Sequence, residues 1–492
     1  MTNRQDNEAM TREEARALSA LKIVRTVDGG EAEVAEAEQL PKKPRLSAAE
    51  QLTQKRKKIE RASREQLHGD RFLWGIYLML LVYSVIELYS ASSSEIKGGH
   101  VFAPIIQHGI YLAIGFVLIL VMSNIHYKVY RVTAVAFAVL SVGLIIWSMV
   151  GGVTLNGAQR AIKFGSITIQ PPEIAKLALV VVLAKVIAKN QMPRGITNRG
   201  MFISLGITVL FCILLFKNGL TNTVLIAVTA FSMLIIGGLQ MRKIAILALI
   251  IGVVAGGVIF KKFMADDSDN QGTATEQVAV AASRDNDRTD TRVNRVSRFM
   301  KGVQPDEEIT DENRQVIFSK FAQAHGGIIG NGPGNSRENS RLPLAFSDYI
   351  FSIIIEDTGI VGGIFLLLMY LSLIGAAGRI AVKCQKAFPA LLIMGCAVMI
   401  TMQALMHMSI VVGIVPVSGQ PLPFISKGGT SVIVMSAAMG MMLSVSKFAP
   451  RSGSKTKQEE LRQAVADNKA EADNPTMITP TRKTTSADPL TY

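Results

Sequence analysis

Ten apolar runs, most of them about as long as a bilayer is thick, constrain this chain more than any other feature. They cover residues 72–91, 106–124, 130–150, 171–188, 202–216, 221–238, 243–261, 349–374, 390–415 and 430–447. A helix needs roughly 20 predominantly apolar residues to cross the hydrocarbon layer. In lipid, only helices and closed barrels satisfy their own backbone. Barrel strands alternate apolar and polar residues, and these runs do not. The expected fold is an all-α integral membrane protein with about ten transmembrane helices.

Loop charges orient the bundle. With the N-terminus inside, ten spans return the C-terminus to the same side. The inner loops then carry Lys128 and Arg131, then Lys189, Arg194 and Arg199, then Arg242 and Lys243, then Arg379, Lys383 and Lys386. The short outer loops carry few cations: Lys97, Lys217 and Lys427. Such a bias marks cytoplasmic loops. The loop between spans three and four, with Arg160 and Lys163, departs from it.

The net charge of +14 is accounted for by basic loops and tails beside an anionic membrane surface. Nucleic acid is therefore not an expected partner. The chain opens on a charged segment rather than a signal peptide, so the run from Phe72 reads as an uncleaved first span. Residues 1–70, basic from Lys42 to Arg64, and residues 451–492 read as disordered cytoplasmic tails around a membrane domain at 71–450. Cys212, Cys384 and Cys396 lie in or beside apolar segments without metal-ligand spacing, as buried thiols do. The six histidines are scattered, so no metal site is expected.

One outer segment is long, residues 262–347, between spans seven and eight. Arg292, Arg295 and Arg298 recur three apart in it, at a spacing that lines one helix face, and a solvated basic face accounts for them best. Gly326, Gly327, Gly330, Gly332 and Gly334 then form a glycine-rich turn region. Long ordered loops usually carry function.

Charges inside a bilayer are expensive and are paired or functional. Glu173 and Lys176 open span four, three residues apart on one face. A structural ion pair accounts for them as well as a substrate role does. Glu356 and Asp357 lie inside span eight, and a bond from Glu356 to a neighbouring span is its simplest account. Asp348 stands at the outer end of that span. Ser347 could cap the helix in its place, leaving Asp348 for chemistry. Arg160, Lys163 and Lys176 converge on the outer mouth of spans three and four. Such clusters suit phosphate recognition.

Three motifs in this order resemble the SEDS family of shape, elongation, division and sporulation proteins, its division branch more than its elongation branch. The first is Gln170-Pro171-Pro172-Glu173 followed by Lys176. The second is Gly332-Pro333-Gly334-Asn335-Ser336, then Leu342-Pro343 and Asp348. The third runs from Pro416 to Ser431 and contains Gly428 and Gly429. The likeness covers roughly residues 72–447. Departures include Pro172 for Ser, Glu356-Asp357 for Glu-Glu, Lys427 for Tyr and His407 for Asn. Lys217-Asn218-Gly219-Leu220-Thr221-Asn222 replaces the family's Gln-Pro-Asp-Leu-Gly-Thr.

The resemblance implies an inner-membrane enzyme of cell-wall biogenesis. Its members polymerise lipid II into peptidoglycan strands beside a class B penicillin-binding protein and, at the septum, other divisome membrane proteins. It implies Asp348 as the general base for a sugar hydroxyl. The leaving undecaprenyl pyrophosphate would meet Arg160 and Lys176, with Arg295 as a further candidate. Glu173, Gln170 and Ser336 would help to hold substrate, and Glu356, Gly428 and Gly429 would support the site. No carboxylate cluster demands a cofactor, although a divalent cation could assist. Two other readings stay open: a flippase that moves lipid II across the membrane, and a non-catalytic scaffold that activates a transpeptidase.

Overall fold

The computed structural model describes residues 69–92, 103–155, 158–164, 167–192, 195–216, 219–240, 242–243, 299, 308–310, 313–342 and 345–449. Both tails, the predicted seventh span beyond residue 243 and most of the long outer loop lie outside the described residues, and Arg295 with them.

The predicted spans one to six are helices α1 (Arg71–Ser92), α2 (Ala103–Asn124), α3 (Tyr127–Gly151), α4 (Pro171–Lys189), α5 (Asn198–Phe216) and α6 (Leu220–Ile236). Helix α7 (Arg314–Gly326) belongs to the outer loop. The last three spans are α8 (Ile350–Val382), α9 (Ala387–Val412) and α10 (Gly429–Phe448). Among the described residues, seven of these helices are long and apolar enough to cross a membrane. Helix α4 falls outside that set because it carries Glu173, Lys176 and Lys185. Helix α6 falls outside it because it has only 17 residues. The protein is a multi-pass membrane protein.

The interior is apolar, as in a soluble domain, but so is the outer surface. Helices α9 and α10 are the most enclosed spans, and α4 is buried along most of its length. Around them α2, α3 and α5 turn Val121, Val132, Val139, Phe202 and Ile213 outward. Lipid accepts such a surface at little cost.

Small antiparallel sheets add to the expected all-helical picture. Strands β1 (Val153–Leu155), β2 (Ala158–Phe164) and β3 (Ile167–Ile169) form a three-stranded sheet between α3 and α4. Its register shifts between Val153 and Thr154, which pair with Ala161 and Gln159, so Arg160 is the extra residue of a bulge. A two-residue pair, β4 (Gln191–Met192) and β5 (Gly195–Ile196), links α4 to α5.

Helix α8 is not one rod. Gly359 sits at φ 71° and ψ −175°, which divides it into segments 350–358 and 360–382. The broken ends would leave unpaired peptide groups. The glycine-rich segment 326–332 satisfies them. Asn331 and Gly332 donate their N–H groups to the carbonyls of Glu356 and Asp357, at 2.9 and 2.8 Å. Ile360 and Val361 donate to the carbonyls of Gly327 and Ile328, at 3.1 and 3.3 Å. A Cβ on Gly359 would stand 2.1 Å from the Ile328 carbonyl oxygen, so backbone meets backbone here and only glycine fits.

Candidate active site

Asp348 lies in the turn before the first segment of α8, half-buried. Ser347 does not cap the helix as expected. The cap position falls on Tyr349, and the Ser347 hydroxyl instead donates to Asp348 Oδ1 at 2.9 Å. The carboxylate stands against Gly419, where a Cβ would come within 2.7 Å of Asp348 Oδ2. The second and third sequence motifs therefore meet at this acid.

The Pro416–Ser431 segment is tied to its surroundings at several points. Ser426 donates to the Ser347 carbonyl at 2.7 Å, and the Lys427 N–H donates to the Phe346 carbonyl at 2.9 Å. The Lys427 ammonium lies 4.6 Å from the centre of the Phe346 ring, a cation–π contact. On the other side, His407 Nδ1 and the Gln420 carbonyl are 2.6 Å apart. Gln403 donates to the Pro421 carbonyl at 3.2 Å and to Ser431 at 3.4 Å. Gly428 occupies the N-cap position of α10. A Cβ on Gly429 would lie 2.6 Å from the Tyr111 ring.

The first motif reaches the same segment through Gln403. Pro171 and Pro172 start α4, where their missing N–H groups cost nothing, and Glu173 sits in the first turn. Lys176 donates to Glu173 at 2.6 Å and to the Gln403 side-chain oxygen at 2.5 Å. The Gln170 N–H donates to the Thr430 hydroxyl at 3.3 Å, and that hydroxyl donates to the Thr168 carbonyl at 2.5 Å. Lys176 is only 3% exposed. It was expected to face pyrophosphate, but its ammonium is engaged inside the bundle. A cation buried this deeply takes the partners one turn away and on the next helix. The backbone of Arg160 stands at the β2 bulge and that of Lys163 pairs with Thr168.

Glu356 was expected to bond a neighbouring span. Its Oε1 instead accepts the N–H groups of Arg337 and Glu338, at 2.7 and 3.3 Å, from the outer loop. Ser336 donates to Asp357, and the Ser90 hydroxyl accepts the Gly334 N–H at 2.9 Å. The Gly332–Ser336 turn is thus anchored to the break in α8 and to α1. The expectation for Ser336 was substrate contact; its hydroxyl is spent on this anchor.

Sequence reading passed over Gln403 and Glu87. Glu87 is fully buried on α1, and neither of its carboxylate oxygens has a hydrogen-bond partner among the described residues. Both were open to the rule that polar groups inside a span are rare and meaningful. Gln403 and His407 also stand four apart, on one face of α9. Among the described residues, no group of three or more His, Cys, Asp or Glu is placed to hold a metal ion.

Residues 70–451 match the family model described as cell cycle protein, the model of FtsW, RodA and SpoVE. The chain belongs to this family. The peptidoglycan glycosyltransferase MrdB of Escherichia coli K12 is 28% identical over 383 residues, covering 77% of this chain and 94% of that protein. Stage V sporulation protein E of Bacillus subtilis is also 28% identical, covering 77% and 97%. The probable peptidoglycan glycosyltransferase FtsW of Geobacter metallireducens is 29% identical, covering 75% and 92%. The fold is that of RodA from Thermus thermophilus, with a TM-score of 0.52 at 19% identity over 77% of this chain and 97% of that one. A chain from a solved peptidoglycan synthase complex, described as coordinating polymerization and crosslinking, has a TM-score of 0.58 at 20% identity, covering 77% and 98%. The FtsW/RodA/SpoVE match spans all three sequence motifs and every helix from α1 to α10.

Proposed function

We propose that this chain is a peptidoglycan glycosyltransferase that polymerises lipid II into glycan strands. Family membership and similarity to proteins named for that activity support the reading. The observation that carries it is the Asp348 carboxylate, half-buried at the head of α8 and seated against Gly419.

The reaction needs a base for a sugar hydroxyl and positive charge for the departing pyrophosphate. Asp348 takes the hydroxyl proton. The oxygen bonds to the anomeric carbon as the bond to pyrophosphate breaks, so a single in-line step converts an α-linkage to a β-linkage. Arg160, at the β2 bulge, is the cation we assign to the pyrophosphate. Glu173, Lys176 and Gln403 act as positioning residues that hold the Pro416–Ser431 segment against the acid.

We further propose a membrane domain at 71–450 between two cytoplasmic tails, with the Asp348 face outward. A class B penicillin-binding protein would be the partner, within a division assembly. Septal placement rests on the Gly332–Ser336 turn; identities of 28% to MrdB and 29% to FtsW do not separate elongation from division. A fluorescent fusion distributed along the side wall rather than at midcell would refute it.

The decisive assay follows purified protein with its partner on lipid II in detergent. Wild type makes long strands and Asp348→Asn makes them about a thousandfold more slowly. Near-normal polymerisation by the variant would remove Asp348 from the reaction. A flippase would make no strands at all, and a scaffold would tolerate the substitution.

A further inference from the structure

At the end of the bundle remote from Asp348, the N-termini of α3 and α9 and the C-terminus of α4 border a half-open cavity of about 690 Å³. Lys128 and Arg131 line it from α3, Lys185 and Lys189 from α4, and Lys386 from the start of α9. No acidic side chain lines it, and among the described residues none of these five cations is ion-paired. Neither α3 nor α9 has an acidic residue in its first turn, so two positive helix ends meet here against the one negative end of α4. Five cations and two helix N-termini outweigh the single helix C-terminus, so the cavity favours an anion.

The neighbouring surface says which anion. Val132 lines the cavity. Val132, Val135 and Val139 recur along one side of α3, and all three are exposed. This apolar track starts where the cations end and runs towards the bilayer interior. We propose that the cavity binds the headgroup of an anionic phospholipid, its phosphate among the five cations and its acyl chains along α3. A volume in the usual range for ligand sites admits such a headgroup, and basic pockets between spans at this level are suited to one. A free phosphate offers the same charge but nothing for the valine track.

The test uses the purified full-length protein in a neutral detergent, with its unfolding temperature read during titration. Three probes are compared: phosphatidylglycerol, phosphatidylcholine and glycerol phosphate. Phosphatidylglycerol raises the unfolding temperature by about 3 °C, and the other two leave it unchanged. The triple variant Arg131→Gln, Lys185→Gln, Lys189→Gln loses that shift. A control at the same end, Arg242→Gln with Lys383→Gln, keeps it. The single variant Arg131→Gln, at an exposed position, retains about half of the shift and serves should the triple variant fold poorly. Equal shifts with the two lipids would overturn the proposal, as would an unchanged shift in Arg131→Gln or loss of the shift in the control. A full shift with glycerol phosphate would overturn the lipid assignment in favour of a soluble anion.

Discussion

Asp348 and Glu356 lie about two turns apart at the same end of α8, yet their surroundings make them different groups. Glu356 is fully buried, and two backbone N–H groups of the outer loop converge on one of its oxygens. It closes the joint at Gly359. Asp348 is half-buried beside a hydroxyl and a residue without a side chain. Two backbone donors fix one oxygen of Glu356 in place, whereas Asp348 packs against a residue with no Cβ. The two acids thus differ both in depth and in what stands next to them.

The largest expected effect bears on that contrast directly. Asp348→Asn lowers the polymerisation rate about a thousandfold, within the range for loss of a general base, with no change in unfolding temperature. Equal loss in Glu356→Gln would break the contrast. Next, Lys176→Met strands the Glu173 carboxylate among buried groups. It costs about 3 kcal/mol of stability, and adding Glu173→Leu recovers most of it; denaturation in detergent checks both. Gly419→Ala, whose methyl would crowd Asp348, lowers turnover about tenfold while lipid II binding persists. Smallest, Ser336→Ala removes one hydrogen bond from the joint. It costs about 1 kcal/mol in the same denaturation assay and leaves turnover per folded molecule as it was.

Nine of the ten predicted spans coincide with helices because long apolar runs leave a chain little choice, and the predicted seventh lies outside the described residues. The same rule exposed Asp348, Glu173 and Lys176 as charges in costly places. It applied equally to Glu87, a lone acid in the first span, which reading by paired charges passed over. The sheet at 153–169 was not foreseen because strands of three and seven residues are too short to show a period. The donors to Glu356 could not be foreseen at all. They are peptide N–H groups of Arg337 and Glu338, and every residue but proline has one. Nor does sequence reveal that a span breaks at Gly359 rather than passing through it, since α8 contains other glycines that stay helical.

The 17 residues of α6 have a consequence for the membrane itself. At 1.5 Å per residue the helix is about 26 Å long, some 4 Å short of a typical hydrocarbon layer of about 30 Å. Leu220, Val224, Val228 and Ile235 are exposed along it. Hydrophobic mismatch of this kind is relieved by thinning the adjacent bilayer, at a fraction of a kcal/mol per ångström. Where lipid meets α6, the bilayer beside it would be thinned. In a bilayer of uneven thickness, such a short helix would favour thinner regions.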